Sequence, residues 1–441
     1  MKKFHIVTLG CSKNIVDSEF ISNKLKTKNL MYTDNMYDAE VVIINSCTFI
    51  EDAKEESIDT IFDVVNLKKQ GYVKYIILTG CLSQRYEKEL EKEIPEIDLF
   101  LGTTSFKDID KHIFSLTKSH VTSPYRDKAI DEKRDYIETG HYGYMKISEG
   151  CDNNCTYCII PKIKGNYRSR TMESLVEEAK DMANNGVKEL ILIAQDTSLY
   201  GTDIYGEKKL HVLLEKLSKI EGLEWIRIHY MYPEGIYDEL IKEIKNNEKV
   251  LNYFDIPLQH ISNKVLKRMN RKTDKESIEG LIKKIRKEIE NPVIRTTFIV
   301  GFPGETEEDF LQLKNFVETF KLERVGVFPY SREENTPAYN LDGQLDKEVK
   351  NKRKDKILEI QKSNSIEFCG SLEGSKFKVI IDEVVDEETY IGRTYMDSPE
   401  IDGVVYVSSK KDLEVGNFYD VIITDSMEYD LIGVVENEYS E

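Results

Sequence analysis

Three closely spaced cysteines are the residues of this sequence best suited to chemistry. Cys151, Cys155 and Cys158 form C-x-x-x-C-x-x-C within the stretch YMKISEGCDNNCTYCIIP. At this spacing three thiolates can face one soft-metal centre and leave one coordination position open, which favours chemistry over a structural role. The alternatives are a zinc site and a set of buried apolar cysteines. No histidine or further cysteine lies near enough in sequence to complete a tetrahedral zinc site, which disfavours the first.

A second set of cysteines follows three apolar runs near the start of the chain. FHIVTLG precedes Cys11, VVIINS precedes Cys47 and YIILTG precedes Cys81, with helical stretches between them. This alternation predicts a parallel α/β sheet, whose strands all end at one edge. We therefore expect the three cysteines to converge there. The alternatives are three unrelated core cysteines and, at Cys11, a lipid-attachment site, which the short apolar stretch containing His5 excludes.

The first trio, with an aromatic residue (Tyr157) just before its last cysteine, resembles the radical S-adenosylmethionine (SAM) superfamily. In that family three thiolates bind a 4Fe–4S cluster and the fourth iron binds SAM. Reduction cleaves SAM to a 5′-deoxyadenosyl radical, which takes a hydrogen atom from the substrate. The resemblance implies that Cys151, Cys155 and Cys158 ligate the radical-generating cluster.

Four longer segments narrow the resemblance to the methylthiotransferases, which replace C–H with C–S–CH3. They read LGCSKNIVDSE, KISEGCDNNCTYCIIPKIKGNYRSR, AQDTSLYG and DSPEIDGVVYV. They are most similar to the branch that converts the β-carbon of an aspartate in ribosomal protein S-twelve to 3-methylthioaspartate. The resemblance implies a second 4Fe–4S cluster on Cys11, Cys47 and Cys81, and two SAM molecules per turnover. It also implies a sulfur donor and a reductant such as flavodoxin or ferredoxin.

Charge helps to separate this function from two others: a tRNA adenosine 2-methylthiotransferase and a non-catalytic two-cluster electron-transfer protein. The net charge is −18, and residues 371–441 alone carry 18 acidic and 5 basic side chains, a net −13. A domain that binds RNA should instead be basic. We therefore expect a basic protein partner, S-twelve either free or in the small subunit, and no tRNA. The open coordination positions disfavour the electron carrier.

The periodicity predicts three domains of mixed α/β and β structure. We place an N-terminal parallel α/β domain at 1–125, a linker at 126–139, a radical SAM core at 140–366 and a β-barrel at 370–441. Six strand-like runs alternating with helices predict a partial (β/α)6 barrel of the TIM type for the core. Five short alternating runs predict an OB-like β-barrel, which resembles a TRAM domain in position.

The bulk composition is that of a soluble globular protein, with 32% charged and 40% hydrophobic residues. No apolar run reaches eighteen residues and no signal peptide is credible. Seven cysteines are too few and too patterned for a disulfide framework. We therefore expect a cytoplasmic protein without a membrane segment.

Residues just past the core strands are expected to line the active site. That rule selects Gln195 and Gly301, and the resemblance makes both cofactor-binding, with Tyr157 near the adenine and the GFPGE turn, through Glu305, near the nucleoside. In the C-terminal domain the loop DSPEID precedes a strand. We expect it to be exposed and to dock the basic substrate through its three acidic residues, which are Asp397, Glu400 and Asp402.

Overall fold

A six-stranded parallel sheet forms the N-terminal domain of the computed structural model, which describes residues 3–48, 50–113, 118–125, 133–136 and 140–438. Its strands are β1 (Lys3–Thr8), β2 (Met31–Tyr32), β3 (Val41–Ser46), β4 (Tyr75–Gly80), β5 (Leu99–Leu101) and β6 (Ser119–His120). The helices are α1 (Ser12–Lys26), α2 (Glu51–Lys69), α3 (Cys81–Glu93) and α4 (Ile109–His112). The strand order β2-β1-β3-β4-β5-β6 places the three strands that precede the cysteines side by side, as the sequence predicts.

Two three-stranded parallel sheets form the core domain. Their strands are β7 (Tyr142–Lys146), β10 (Glu189–Ile193), β11 (Trp225–Ile228), β12 (Tyr253–Asp255), β13 (Val293–Val300) and β14 (Arg324–Pro329). A short antiparallel pair, β8 (Ser148–Glu149) and β9 (Arg168–Ser169), follows β7. The orders β7-β10-β11 and β12-β13-β14 are those of consecutive βα units, and single bridges such as Ile226 to Val250 support the curvature. The predicted partial barrel is confirmed.

Helices alternate with the strands of this barrel, and the longer ones each bury an apolar face. They are α5 (Ile160–Lys164), α6 (Met172–Asn184), α7 (Thr202–Tyr205), α8 (Leu210–Leu217), α9 (Asp238–Asn246), α10 (Asn263–Arg268), α11 (Lys275–Glu288) and α12 (Glu307–Phe320). On α6 the buried residues Leu175, Ala179 and Met182 recur at helical spacing. Thr306 and Asp309 form a reciprocal capping box at the start of α12, as their sequence pattern predicts.

A closed five-stranded barrel forms the C-terminal domain, after the connecting helix α13 (Lys347–Gly370). Its strands are β15 (Lys376–Val384), β16 (Thr389–Arg393), β17 (Val405–Ser408), β18 (Phe418–Ser426) and β19 (Leu431–Val435). The order β15-β16-β17-β19-β18 includes one parallel pair, β17 with β19. Closure removes the exposed edges that an open sheet would have, and it confirms the predicted OB-like barrel.

The DSPEID loop of this barrel is an internal contact, so the predicted exposure is wrong for two of its three acids. Asp397 is buried and accepts a hydrogen bond from Arg324 at 2.6 Å. The side chain of Asp402 is 4% exposed and accepts from the Tyr253 hydroxyl at 2.6 Å. Glu400 is exposed and accepts from the Tyr142 hydroxyl at 3.0 Å. Arginines near the amino ends of the core strands pair with these acids. They lie more than 70 residues away from the loop in sequence.

Part of the predicted linker is a buried connection. Residues 126–132 and 137–139 lie outside the described residues, whereas 133–136 are described. Arg134 in this segment is buried between Glu19 of α1 and Glu178 of α6. It therefore ties the N-terminal domain to the core. None of the described helices combines the length and the apolar run that crossing a bilayer requires.

Candidate active site

The first cysteine trio lies in a tight loop between β8 and α5. Gly150 opens the loop at φ +73°, where a Cβ atom would lie 2.0 Å from the carbonyl oxygen of Asn166. The amide of Cys151 donates to Gly165 (3.2 Å) and that of Cys158 to Cys155 (3.0 Å). These backbone bonds set the direction of the side chains in a segment with no regular secondary structure.

Cys155 has a cation and a phenol beside its sulfur. Arg271 Nη1 lies 3.9 Å from Cys155 Sγ, and the Tyr232 hydroxyl lies 3.7 Å from it. The guanidinium also stacks on the Tyr232 ring, 4.1 Å from its centre, and donates to Pro257 at 2.9 Å. Arg271 thus places a fixed positive charge beside this sulfur.

Burial disfavours the thiolate form of the other two cysteines of the trio. It raises the pKa of Cys151 to about 11 and the pKa of Cys158 well above its usual value. Thiolates at these positions therefore need a bound cationic centre to form near neutral pH. The chemistry of the donor set, three cysteine sulfurs and an arginine, fits an iron–sulfur cluster.

The second trio lies at the carboxyl ends of β1, β3 and β4. Cys11 is the N-cap of α1, Cys47 follows β3 directly, and Cys81 begins α3. Gly10 is so close to the second of these that a Cβ atom on it would lie 2.8 Å from Cys47 Sγ. Burial raises the pKa of Cys81 to about 12, and the charges of Cys47 and Cys11 add to that rise, whereas Lys164 opposes it. Two helix starts and a lysine thus surround the second trio with positive potential.

Neither trio has the geometry of a single-ion site. Within the described residues, no three His, Cys, Asp or Glu side chains could hold one metal ion together. A 4Fe–4S cluster offers a different iron to each cysteine, so its ligands remain apart. Three thiolates that each bind a different iron are compatible with either trio.

The segment that follows the first trio packs against Cys81 of the second trio across the interface between the first two domains. Cys81 packs directly against Ile159 and Ile163, and Ile159 follows Cys158 in sequence. The hydroxyl of Thr103 donates across the same interface to the carbonyl of Ile163 at 2.7 Å. One apolar contact thus separates the segments that hold the two sets of sulfurs.

A buried charge network holds this interface together. Asp17 of α1 bonds Lys164 at 3.0 Å and also Lys146 of β7, and Lys146 in turn bonds Glu149. Side-chain exposure is 5% or less at all four residues. On the other side of the interface, Glu333 bonds Arg85 (3.0 Å) and Lys54 (3.1 Å). The relative placement of the trios is therefore fixed by charges as well as by apolar packing.

Gln195 and Tyr157 present polar atoms that nothing in the described part of the chain satisfies. Gln195 Oε1 and the Tyr157 hydroxyl are both buried without a hydrogen-bond partner. Gln195 lies two residues past β10, and the Tyr157 ring packs edge-on against Phe302 with centroids 6.5 Å apart. Because buried polar atoms normally have partners, both positions fit contact with a polar ligand such as SAM.

The GFPGE turn satisfies its own amides through the glutamate at its end. The Glu305 carboxylate accepts from the Phe302 amide at 3.1 Å and from Arg353 at 2.7 Å, and the Gly301 amide also faces it. Burial raises the pKa of Glu305 to about 7 against the opposing effect of Arg353. A Cβ atom on Gly301 would lie 2.4 Å from Lys350 of α13. The glycine therefore permits close approach of that helix.

Sequence reasoning missed Arg271, Lys13 and Lys164. Arg271 lies 116 residues from Cys155 in sequence, so no local motif predicts that the two are in contact. Lys164 stands six residues after the first trio but acts on the second. For Lys13 and Lys164, the available signal in the sequence was their position close to a cysteine motif. Arg271 lies close to neither motif.

Comparison with known protein families covers all three domains. Residues 145–317 match the radical SAM superfamily, residues 3–102 match an uncharacterized protein family (UPF0004), and residues 374–435 match the TRAM domain.

The full-length relatives described next share one name, which states their function. The chain is 50% identical to "Ribosomal protein uS12 methylthiotransferase RimO" of Clostridioides difficile (strain 630), covering 99% of each chain. It is 52% identical to the protein of the same name from Clostridium perfringens (strain 13 / Type A), covering 99% of this chain and 98% of that one.

Among solved structures, the fold resembles the radical S-adenosylmethionine methyltransferase TsrM from Kitasatospora setae, determined with cobalamin and a [4Fe-4S] cluster bound. The TM-score is 0.57 at 14% identity over 77% of each chain, a likeness of fold alone. The high identity of the full-length matches over nearly the whole chain shows common descent with these relatives. The chain belongs to the radical SAM superfamily and, within it, to the family of ribosomal protein uS12 methylthiotransferases.

Proposed function

We propose that this protein transfers a methylthio group to the β-carbon of an aspartate in ribosomal protein uS12 (S-twelve), giving 3-methylthioaspartate. The observation that carries the proposal is that Cys81 of the second trio packs on Ile159 and Ile163, in the segment that follows the first trio. Replacing C–H by C–S–CH3 needs a radical generator and a sulfur source close to the same carbon. Two sets of cysteines brought to one domain interface supply a place for each.

The first trio is proposed to hold a 4Fe–4S cluster that binds SAM. When bound, cluster and SAM together supply the 5′-deoxyadenosyl radical that removes the hydrogen atom. Cys151, Cys155 and Cys158 hold the cluster, and Arg271 stabilises the negative charge at Cys155. Gln195 and Tyr157 present unpartnered polar atoms to SAM.

The second trio is proposed to hold another 4Fe–4S cluster, through Cys11, Cys47 and Cys81, where the sulfur is delivered. Support comes from the adjacency of the three strands that end at these residues. SAM is used twice per turnover, once as methyl donor and once as radical source. No side chain is required as a general base, because the hydrogen leaves as an atom and not as a proton.

The partners follow from the same reaction. Electrons come from a reductant such as flavodoxin or ferredoxin, and the sulfur comes from a separate donor, so we place the protein in the cytoplasm with the ribosome. The acidic barrel favours a basic protein substrate over tRNA. Since Asp397 and Asp402 are internal, the docking charge is assigned to exposed acids, including Glu400 and the β15–β16 turn at Glu387 and Glu388.

Mass spectrometry of cells lacking this chain tests the proposal. Both the ribosomal proteins and the tRNA are compared with those of the parent strain. We expect uS12 to lose the mass of one methylthio group and tRNA adenosines to be unchanged. Loss of the group from tRNA with uS12 unchanged would assign the chain to the tRNA reaction, and no change in either would refute both.

A further inference from the structure

Lys13 is a buried cation without an anionic partner. It lies on α1, two residues past Cys11, and is 9% exposed. Its ammonium nitrogen lies 3.6 Å from the centre of the Tyr230 ring. Within the described residues it has no hydrogen bond and no ion pair, and only the aromatic face contacts its charge.

The Tyr230 side of this contact belongs to the radical site. Tyr230 lies two residues past β11, at the end of the barrel where active sites form. Its backbone has φ +59° and is fixed by the Asp255 carboxylate (3.0 Å) and by the Thr197 amide (3.1 Å). Two residues further on, the Tyr232 hydroxyl touches Cys155. Lys13 therefore reaches from the helix capped by Cys11 to the loop that contacts Cys155.

The charged groups nearest to Lys13 do not neutralise it. Asp17 is engaged with two other lysines, and Asp255 is paired with Arg295 at 2.9 Å. His229 faces the same region, but burial and the neighbouring arginines lower its pKa to about 3, so it is neutral. An aromatic face replaces only part of the hydration that a buried ammonium loses. Among the described residues around Lys13, no acidic side chain is therefore paired with it.

We propose that Lys13 binds the carboxylate of the substrate aspartate and so positions its β-carbon between the two cysteine trios. This inference rests on the proposed function, because it names the group of that substrate which the site recognises. The β-carbon of aspartate carries the carboxylate directly. Holding that carboxylate at the ammonium therefore fixes the reacting carbon to within one bond. An adenine ring offers no such anion beside its reacting atom.

The inference predicts that the protein distinguishes aspartate from asparagine through Lys13. The experiment uses the full chain with both clusters reconstituted, kept anaerobic and without reductant so that no turnover occurs. Two uS12 peptides are compared, one with the aspartate that the mass spectrometry locates and one with asparagine in its place. Binding is followed by fluorescence anisotropy for the wild type, Lys13→Met and Lys13→Arg, with iron content and electron paramagnetic resonance spectra recorded for each.

We expect the wild type to bind the aspartate peptide about tenfold more tightly than the asparagine peptide, the scale of one hydrogen bond to a charged group. Lys13→Met should bring the ratio near one, and Lys13→Arg, which keeps the charge, should retain a preference.

Three outcomes would overturn the inference. One is a wild-type protein that does not prefer aspartate. Another is a loaded Lys13→Met protein that keeps the preference. The third is a Lys13→Met protein that loses iron or cluster signal while its aspartate preference stands, which would make the lysine a support of the second trio. A wild type that binds neither peptide removes the proposed function, and this inference with it.

Discussion

Burial opposes ionisation at three of the six cysteines in the two trios. Burial raises the pKa of Cys81 to about 12 and that of Cys151 to about 11, so neither ionises readily by itself. Lys164 opposes this rise at Cys81, and Arg271 places a positive charge beside Cys155. At the scale of single residues, the site combines desolvation of the cysteines with the charges of Arg271 and Lys164, which reach Cys155 and Cys81 only in the folded chain.

Changing Cys155 to Ala should abolish formation of 5′-deoxyadenosine from SAM and reduce the iron content to that of the second cluster. The reason is that one of three thiolate ligands is lost. Chromatography of the nucleoside and an iron assay make the measurement. Cys369→Ala is the matched control, because Cys369 is also fully buried but lies on α13. Wild-type nucleoside formation by the Cys155 variant would contradict the assignment.

Changing Arg271 to Met should make the midpoint potential of the first cluster more negative. A reduced cluster carries one more negative charge, and the guanidinium 3.9 Å from Cys155 Sγ stabilises that charge. Loss of roughly 1.4 kcal/mol of such stabilisation corresponds to about 60 mV for one electron. A redox titration followed by electron paramagnetic resonance measures the shift. Arg271→Lys should largely restore the potential, and an unchanged potential in the Met variant would remove the electrostatic role.

Elements rather than residues bring the second trio together. Cys11, Cys47 and Cys81 are separated by helices in sequence, yet adjacent strands of a parallel sheet end at one edge.

We expect Cys47→Ala to lose the iron of the second cluster and to stop methylthio transfer, while 5′-deoxyadenosine still forms. Mössbauer spectra and an iron assay are the measurements. Unchanged iron would show that the three cysteines do not share a cluster.

Helix α1 also carries the acid that fixes the two trios relative to each other. Asp17→Ala would leave Lys146 and Lys164 partly unpaired in a buried interface. Breaking a buried pair in this way typically costs about 3–5 kcal/mol. The expected result is a lower thermal unfolding midpoint, measured by calorimetry. Asp63→Ala, an exposed acid on α2, is the control and should leave the midpoint nearly unchanged. Equal midpoints for the two variants would show that the network does not stabilise the interface.

At the scale of the whole molecule, the negative charge of the C-terminal barrel is divided between two uses. Asp397 and Asp402 pair with Arg324 and Arg295, which attaches the barrel to the core strands. Asp382 pairs with Arg393 inside the barrel. Exposed acids such as Glu387 and Glu388 remain for a partner. Long-range attraction acts mainly on association rates and fades beyond a Debye length of about 8 Å at physiological salt.

Reversing Glu387 and Glu388 to Lys should therefore slow association with uS12 and flatten its salt dependence. Stopped-flow binding at several salt concentrations provides the measurement. The matched control reverses Glu55 and Glu56, an equally exposed adjacent pair on α2, which changes the total charge by the same amount in another domain. If both double variants slow binding equally, net charge and not the barrel surface is responsible.

The sequence alone determined the elements and the two cysteine trios. Apolar runs such as Val41–Ser46 are buried along their whole length, and the six core strands and five barrel strands lie where their periodicity predicts them. These are local properties, because side-chain period and turn residues act over a few neighbours. Adjacent parallel strands then placed Cys11, Cys47 and Cys81 at one edge, as the strand–helix alternation predicts.

Only the tertiary structure decided which charged residues serve the site. DSPEID reads as an exposed acidic loop, but Arg324, Arg295 and Tyr253 bury two of its three acids. Arg271 beside Cys155, and Lys13 beside Tyr230, come from segments more than 100 residues apart. The physical reason is that an ion pair or cation–π contact depends on distance in space alone. A sequence records which charges exist, and the packing of its domains decides which of them meet.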